Sequence, residues 1–551
     1  MNNNLVNGWE VVIGLEIHAQ VASNSKLFSS SATSGEDGPN SRVNFFDAGM
    51  PGVLPVINSK CIDLAIKTGL GIYGKINEIS VFDRKNYFYP DLPSGYQISQ
   101  FFYPIVTGGY VEIGESAENE QEIVRIGITR IHLEQDAGKN IHDLAPDKSF
   151  VDLNRSGIAL MEIVTEPDMR SVFQAVFVAK KLHALVQYLE TCNGNMEQGN
   201  FRVDANISMH KPQTPFGTRA EIKNLNSFKF MQAALTYEIE RQMEILEGGG
   251  KIVQETRLFD VNSGVTMTMR EKEDADDYRY FPDPDLPALI LTKERIQSIA
   301  DNMPELPDDK KRRFIKDFGL SEYDATILTS DRKISLFYDE AIAFGGFSDA
   351  LKAYKLVANW IIGDLFAVMK ENDLSIRFLS KPISSSKVEV AYEAQNQSVD
   401  IHEGDWGESQ ISQKPHEDSS IEATNKFAEE IELRKKSISI TPLAIAKLIA
   451  LIQDGTISGK IAKTVFEKMW KEGIAEPIEI VESLGLKQIS SEAEILPEIR
   501  KIIAENPGIV AEYKNGRTSV FGFFVGQVMK KFKGQASPDV VNKLLYQELD
   551  L

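Results

Sequence analysis

With 551 residues the chain is too long for a single hydrophobic core and calls for about two to four domains. Its composition, 42% hydrophobic and 25% charged, is that of a soluble globular protein, and no apolar run approaches the length of a membrane span. The formal charge of −20 argues against general nucleic-acid binding, and with only two cysteines, Cys61 and Cys192, a disulfide framework and a thiolate zinc site are both excluded.

Residues 1–8 are polar and Asn-rich, without the charged start and apolar core of a signal peptide, so a cytoplasmic protein is expected. Up to about residue 292 the chain mixes strand-like alternation, turn signals such as Pro51-Gly52, Ser94-Gly95 and Asn193-Gly194, and a helical stretch at 173–189. This is the pattern of an α+β domain. Five stretches within it place an acid, a base or a His at every second position: those around Glu16 and His18, around Arg130, His132, Glu134 and Asp136, around Glu162, around Arg202, Asp204 and Asn206, and around Arg219, Glu221 and Lys223. Successive strand side chains point to opposite faces, so Glu16 and His18 share a face, as do His132 and Glu134, Arg202 and Asp204, and Arg219 and Glu221. One stretch alone fits the wet face of an ordinary antiparallel sheet. Five together, combining His, carboxylates and Arg, suggest a hydrophilic face that binds divalent cations and polyphosphate.

The segment 82–91 supplies Arg84, Lys85 and Asn86 beside aromatic residues, and a packed aromatic loop and a ligand loop fit it equally. No P-loop, Rossmann glycine fingerprint or kinase catalytic loop occurs, so polyphosphate would have to be held by metal and basic side chains. The three prolines of 278–287 require an extended loop, a plausible domain boundary. Beyond it the apolar spacing turns helical, as at 354–366 and at 441–453, where Thr441 and Pro442 are cap and first-turn residues. The stretch 384–424 interrupts this half with nine acids against Lys387 and Lys414 and no sustained period, and is expected to be a disordered or loosely ordered insertion. His402, Trp406 and His416 lie in it. Residues 513–543 reverse the charge, with Lys514, Arg517, Lys530, Lys531, Lys533 and Lys543 against Asp539 alone. Along 520–533, Phe521, Phe524, Val528 and Phe532 form one apolar stripe at helical spacing, with lysines near its end.

The phrases V-I-G-L-E-I-H, F-D-R-K-N-Y-F-Y-P-D, G-I-T-R-I-H-L-E-Q-D-A-G-K, V-D-L-N-R-S-G, A-E-I-K-N-L-N-S-F and D-D-Y-R-Y-F-P-D-P-D-L-P resemble, in order and nearly end to end, the GatB family, the GatB subunit of the bacterial aspartyl/glutamyl-tRNA amidotransferase. The likeness fails only over roughly 384–424. It implies an N-terminal antiparallel-sheet catalytic domain, residues 1–292, similar to glutamine synthetase and guanido kinases. A helical domain at 293–483 and a helical, tRNA-binding tail at 484–551 follow. The implied reaction is amidation of Glu-tRNA(Gln) or Asp-tRNA(Asn): ATP phosphorylates the side-chain carboxylate and ammonia displaces phosphate. Ammonia would come from a partner amidase subunit, with a small third subunit joining the complex. Mg²⁺ is the implied metal. By resemblance, Glu16, His18 and Glu134 are first-choice ligands and Glu162, Asp204 and Glu221 further acids. Glu16, His18, Glu134, Asp204 and Glu221 form the catalytic set, and Arg84, Lys85, Asn86, Arg202 and Lys223 would meet ATP phosphates. Lys514, Arg517, Lys530, Lys531 and Lys533 would meet tRNA.

Two departures stand out. The stretch 28–40, where many members carry a cysteine zinc knuckle, has no cysteine, so zinc is not expected. Gln135 stands where other members have a second Glu, and an amide cannot act as a base there, though it can hydrogen-bond ammonia. Two other readings remain: an inactive tRNA-binding adaptor, and a small-molecule amide ligase of the glutamine synthetase kind. The long helical half with its basic end disfavours the latter. Sequence does not decide between Glu-tRNA and Asp-tRNA.

Overall fold

The computed structural model describes residues 5–35, 38–114, 123–142, 144–145, 147–223, 225–271, 278–371, 440–473, 476–489, 491–532 and 534–550. The chain divides into two compact units, Met1–Leu306 and Pro307–Leu551.

The first unit is built on one large sheet. Its principal strands are β1 (Trp9–Gln20), β2 (Ile79–Asn86), β3 (Tyr96–Tyr103), β4 (Ile123–Gln135), β5 (Ala159–Thr165), β6 (Phe201–His210), β7 (Ala220–Lys223), β8 (Glu255–Asp260) and β9 (Val265–Glu271). They lie in the order β9-β8-β7-β6-β1-β5-β4-β3-β2. The period-two pattern explains why the sheet has two unlike faces. On β1 the odd positions Val11, Ile13, Leu15, Ile17 and Ala19 are buried, as are Ile131 and Leu133 of β4, Met161 and Ile163 of β5 and Val203, Ala205 and Ile207 of β6. These side chains form one core with α1 (Ser59–Gly71), α2 (Val172–Tyr188) and α3 (Phe228–Glu247). Each helix starts at a polar cap: Asn58, Ser171 and Ser227 accept from the amides of Lys60, Gln174 and Phe230.

The sheet departs from the antiparallel one expected from sequence. β7 and β8 run parallel, with Glu221 opposite Thr256, because the chain between them passes through α3. Such a crossover is what parallel neighbours require.

The segment 278–287 is extended but is not the end of the unit. Phe281–Pro282 pairs with β2, opposite Arg84 and Asp83, and the Asp283 amide donates to the Phe82 carbonyl at 2.8 Å. The next helix, α4 (Lys293–Asp301), returns to the same core through Ile296 and Ile299, followed by Met303 and Leu306, while Arg295 grips Asp63 of α1 at 2.7 Å.

In the second unit the regular structure among the described residues is helical, apart from an isolated bridge between Ile489 and Ala536. Helices from Pro307–Phe318 to Pro477–Ser483 share one core, which includes Phe314, Tyr338, Trp360 and Phe466. A second core gathers Ile495, Ile499, Phe524, Val528 and Leu545 from the helices at the end of the chain. Thr441 caps the Pro442–Gln453 helix, accepting from the Ala444 amide at 3.0 Å. The helix Phe521–Lys531 buries Phe524 and Val528 and stacks Phe521 on Tyr546 at 4.3 Å. The stretch 384–424, with His402, Trp406 and His416, lies outside the described residues, as does Lys533.

Because α4 and the residues after it complete the first core, a fragment ending at residue 306 is expected to unfold at a clearly higher temperature than one ending at 292. Equal melting of the two fragments would show that α4 adds nothing to that core.

Candidate active site

The polar face of the sheet collects the alternating residues into rows across the strands. Pairing sets His132 of β4 opposite Glu162 of β5, Glu162 opposite His18 of β1, and His18 opposite Arg202 of β6. Glu134 stands two residues along β4, opposite Leu160. The side chains converge: His18 Nε2 lies 3.5 Å from Glu134 Oε1 and 3.6 Å from Glu162 Oε2, and His132 Nε2 lies 3.1 Å from Glu162 Oε2 and 3.7 Å from Glu134 Oε2. Among the described residues one group of three or more His, Cys, Asp or Glu could hold a metal ion, and it is His18, Glu134 and Glu162, whose ligand atoms lie within 4.8 Å of one another.

The group is largely buried, with His132 3% and Glu134 6% exposed. Burial opposes charge on His132, but the Glu162 and Glu134 carboxylates outweigh it and raise the imidazole to about 9. Burial likewise opposes charge on Glu162, yet His132, His18 and Lys85 hold it well below the usual carboxylate range. Glu134 is also held low against its burial, chiefly by the neighbouring His132 imidazole and then by His18. The Tyr87 and Tyr280 hydroxyls are pushed up by burial and then by Glu134, with Glu162 also acting on Tyr280.

Glu16, Asp204 and Glu221 do not join this group. Lys223 Nζ lies 2.8 Å from Asp204 and 3.4 Å from Glu221, Asn206 donates to Glu16 at 2.8 Å, and Thr256 donates to Glu221 at 2.9 Å. They make a second cluster around one lysine. Arg202 is bound to Asp136 at 2.8 Å.

The three residues taken from β2 separate. Arg84 is closed by Asp283 at 2.9 Å and Asp285 at 2.7 Å and lies over the Tyr96 ring, while Asn86 donates to the Tyr278 and Arg279 carbonyls. Both fasten the 278–287 segment to the sheet. Lys85 lies 4.6 Å above the Tyr278 ring, and its charge acts on Glu162. Gln135 is nearly buried, its side-chain oxygen accepting from the Ile98 amide at 3.1 Å. Cys61 and Cys192 are buried, which pushes both thiols up to about 11.

In the second unit Arg517 pairs with Glu512 at 2.8 Å and Lys531 with Glu498 at 3.7 Å. Among the described residues no carboxylate pairs with Lys514 or Lys530.

Sequence reasoning gave no ligand role to His132, although the alternation that set it beside Glu134 was the signal that could have done so. Tyr87 and Tyr280 carried no such signal, since nothing in the sequence says that 278–287 folds back over β2 and β3, where Tyr280 stacks on Phe101 at 4.1 Å.

Residues 11–297 match the GatB/GatE catalytic domain, and residues 414–549 match the GatB domain. The chain belongs to the GatB/GatE family. Proteins named as the GatB subunit of aspartyl/glutamyl-tRNA(Asn/Gln) amidotransferase resemble it almost from end to end. That of Hydrogenovibrio crunogenus is 48% identical over 98% of this chain and 99% of its own, and that of Rickettsia bellii 47% over 98% of each. A third, from Pelagibacter ubique, is 48% identical over 98% of this chain and 97% of its own. The second match begins at residue 414, inside the stretch where the phrase-by-phrase likeness fails. The cluster of His18, Glu134 and Glu162 lies wholly within the catalytic domain of the family.

A proton held in the folded state at about 9, against about 6.5 in the unfolded chain, makes His132 stabilising below pH 6.5, and this contribution is lost as pH rises through 9. Glu134 and Glu162, held below 4.5, contribute in full above that pH and do not tilt the same window. In EDTA the first unit is therefore expected to lose stability between pH 6.5 and 9, by up to about 1 kcal/mol per pH unit. His132→Gln should flatten that slope in thermal unfolding, and an unchanged slope would remove the proton from His132.

Proposed function

We propose that this chain is the ATP-dependent transamidating subunit of a tRNA amidotransferase, a ligase that converts Glu-tRNA(Gln), Asp-tRNA(Asn) or both to the amidated forms. The observation that carries the reading is the convergence of His18, Glu134 and Glu162 on the polar face of a domain shared, almost without gap, with proteins of that name. We read the domain as a relative of the glutamine synthetase and guanido kinase fold. Its partners in the cytoplasm, on this reading, are an ammonia-producing amidase and a small third subunit. No helix among the described residues is long and apolar enough to cross a membrane.

A carboxylate is a poor electrophile, because ammonia attacking it would have to expel oxide. In the reaction proposed here a carboxylate oxygen attacks the γ-phosphorus of ATP while the bond to the β-bridging oxygen breaks. Ammonia then adds to the acyl carbon, loses a proton, and phosphate leaves. Both reactants of the first step are anions, so catalysis is mostly positioning and charge neutralisation. The donor set fits a divalent cation: two carboxylates offer the hard oxygens that Mg²⁺ prefers, and His18 adds a nitrogen. When bound by these three residues, Mg²⁺ would supply the positive charge between carboxylate and phosphate. His132 positions Glu162 at 3.1 Å and Glu134 at 3.7 Å. Lys85 faces the same space from β2 and would meet phosphate oxygens. Arg202 and Lys223 reach the face as ion pairs with Asp136 and Asp204, and would hold phosphate through the exposed parts of their side chains.

The adaptor reading is disfavoured by an intact three-ligand group. The small-molecule ligase reading is disfavoured because the likeness to tRNA-dependent relatives runs through the helical end of the chain.

In the assembled complex, with ammonium as nitrogen donor, His18→Ala and Glu162→Gln are each expected to lower amide formation at least a hundredfold and leave assembly intact. Near wild-type turnover at saturating Mg²⁺ would remove the catalytic role of the group.

The 484–551 tail would contact tRNA phosphates through Lys514, Arg517, Lys530, Lys531 and Lys533. Its removal is expected to weaken tRNA binding and to flatten the salt dependence, by roughly one slope unit per lost phosphate contact. An unchanged affinity and slope in a filter-binding titration would return the tail to a structural role.

A further inference from the structure

Arg130 lies two positions before His132 on β4, on the same face of the strand. Its surroundings differ from those of the other arginines near the acid group. Arg84 is closed by Asp283 and Asp285, and Arg202 by Asp136. Among the described residues no carboxylate lies within ion-pair distance of Arg130. Its guanidinium lies over the Phe101 ring, 5.3 Å from the centroid, and Phe101 stacks in turn on Tyr280 at 4.1 Å. The Arg130 Nε is buried and donates to no group. Arg130, His132 and Glu134 follow one another along one face of β4, and the Phe101 ring joins the Arg130 guanidinium to Tyr280, so Arg130 borders the acid group.

Leaving a buried guanidinium N–H unsatisfied costs about 1–3 kcal/mol, and more for a charged group, while an arginine fixed on a ring has already lost much of its rotamer freedom. A cation held in this way, without an ion-pair partner, is prepared for an anion from outside the protein. Its planar fork suits the paired oxygens of a carboxylate or phosphate better than a lysine would. We propose that Arg130 is the oxyanion receptor of the site, binding either ATP phosphate oxygens or the side-chain carboxylate that is phosphorylated. This rests on the transamidase reading above. It gives a definite role to a residue that strand alternation only placed on the polar face and that the ligand group does not include.

The test is steady-state kinetics of the assembled complex, with ammonium as nitrogen donor, for Arg130→Gln and Arg130→Lys, with His18→Ala prepared in parallel. Thermal unfolding of each variant and calorimetric titration with ADP and Mg²⁺ complete the set. Arg130→Gln is expected to lower kcat/KM by about tenfold to a hundredfold, the effect of one or two lost charge-assisted hydrogen bonds. Arg130→Lys should recover part of the loss, and the unfolding temperature should not change. If the anion is phosphate, the loss appears in KM for ATP and in ADP affinity. If it is the carboxylate, the loss appears with the aminoacyl-tRNA while ADP affinity holds. The proposal fails if Arg130→Gln retains wild-type kcat/KM for both substrates, or if both variants lose activity in step with a lowered unfolding temperature. Active His18→Ala would instead overturn the transamidase reading, whereas inactive His18→Ala beside unaffected Arg130→Gln would overturn only the role of Arg130.

Discussion

Two carboxylates that approach the same pair of imidazoles in a nearly dry setting repel each other unless positive charge lies between them. Glu134 and Glu162 are in that position, and the proton on His132 supplies the charge when no metal does. A divalent cation would do so more strongly and would leave His132 free to position the acids. Much of the first unit can be understood as the means of holding this repulsive group in place. The strands that carry it, β1, β4 and β5, are neighbours in the middle of the sheet, and their other faces are locked into the core by side chains such as Ile17, Leu133 and Met161. Slipping one strand by a residue would turn its carboxylates and imidazoles into the core and expose the apolar set, so hydrophobic burial fixes the register of the polar face.

The edge of the sheet is secured by a different device. Arg84 and Asn86 look like ligand residues by type, yet they hold the 278–287 segment against β2 and so bring Tyr280 over Phe101 and Tyr278 over Lys85. The segment thereby walls the acid group on one side with aromatic rings, which lowers the local polarity and strengthens the interactions inside. Around Lys223, the Asp204 and Glu221 carboxylates share one ammonium, so that cluster already holds a cation of its own. The two clusters share a face but differ in kind: in one the carboxylates meet two imidazoles, and in the other they meet a lysine ammonium.

The period-two alternation made the polar face legible in the sequence, and with it His18, Glu134 and Glu162. It could not say which residues of that face meet, because cross-strand rows depend on a register set by partners more than a hundred positions away, as for His18 and Glu162. That is why Glu16, on the same face of the same strand as His18, turns out to sit with Asn206 and Asp204 and not with Glu134 and Glu162. The parallel pair β7 and β8 was illegible for a similar reason, since alternation carries no strand direction. Three prolines correctly indicated an extended 278–287, but an extended segment can end a domain or edge a sheet. The Asp283 and Asp285 carboxylates waiting for Arg84 are what decide for the second. Helical spacing read the second half well, down to the Thr441 cap and the buried Phe524 and Val528, because helix contacts and caps are local in sequence.

The central claim is that His18, Glu134 and Glu162, and not the cluster around Lys223, form the cation site. Titration of the assembled complex with Mn²⁺, following the free ion by electron paramagnetic resonance, tests it most directly. Glu134→Gln should weaken binding by roughly tenfold or more, on the scale of ligand-shell substitutions, and Glu221→Gln should leave it unchanged. Equal Mn²⁺ affinity in wild type and Glu134→Gln, or a loss confined to Glu221→Gln, would contradict the assignment.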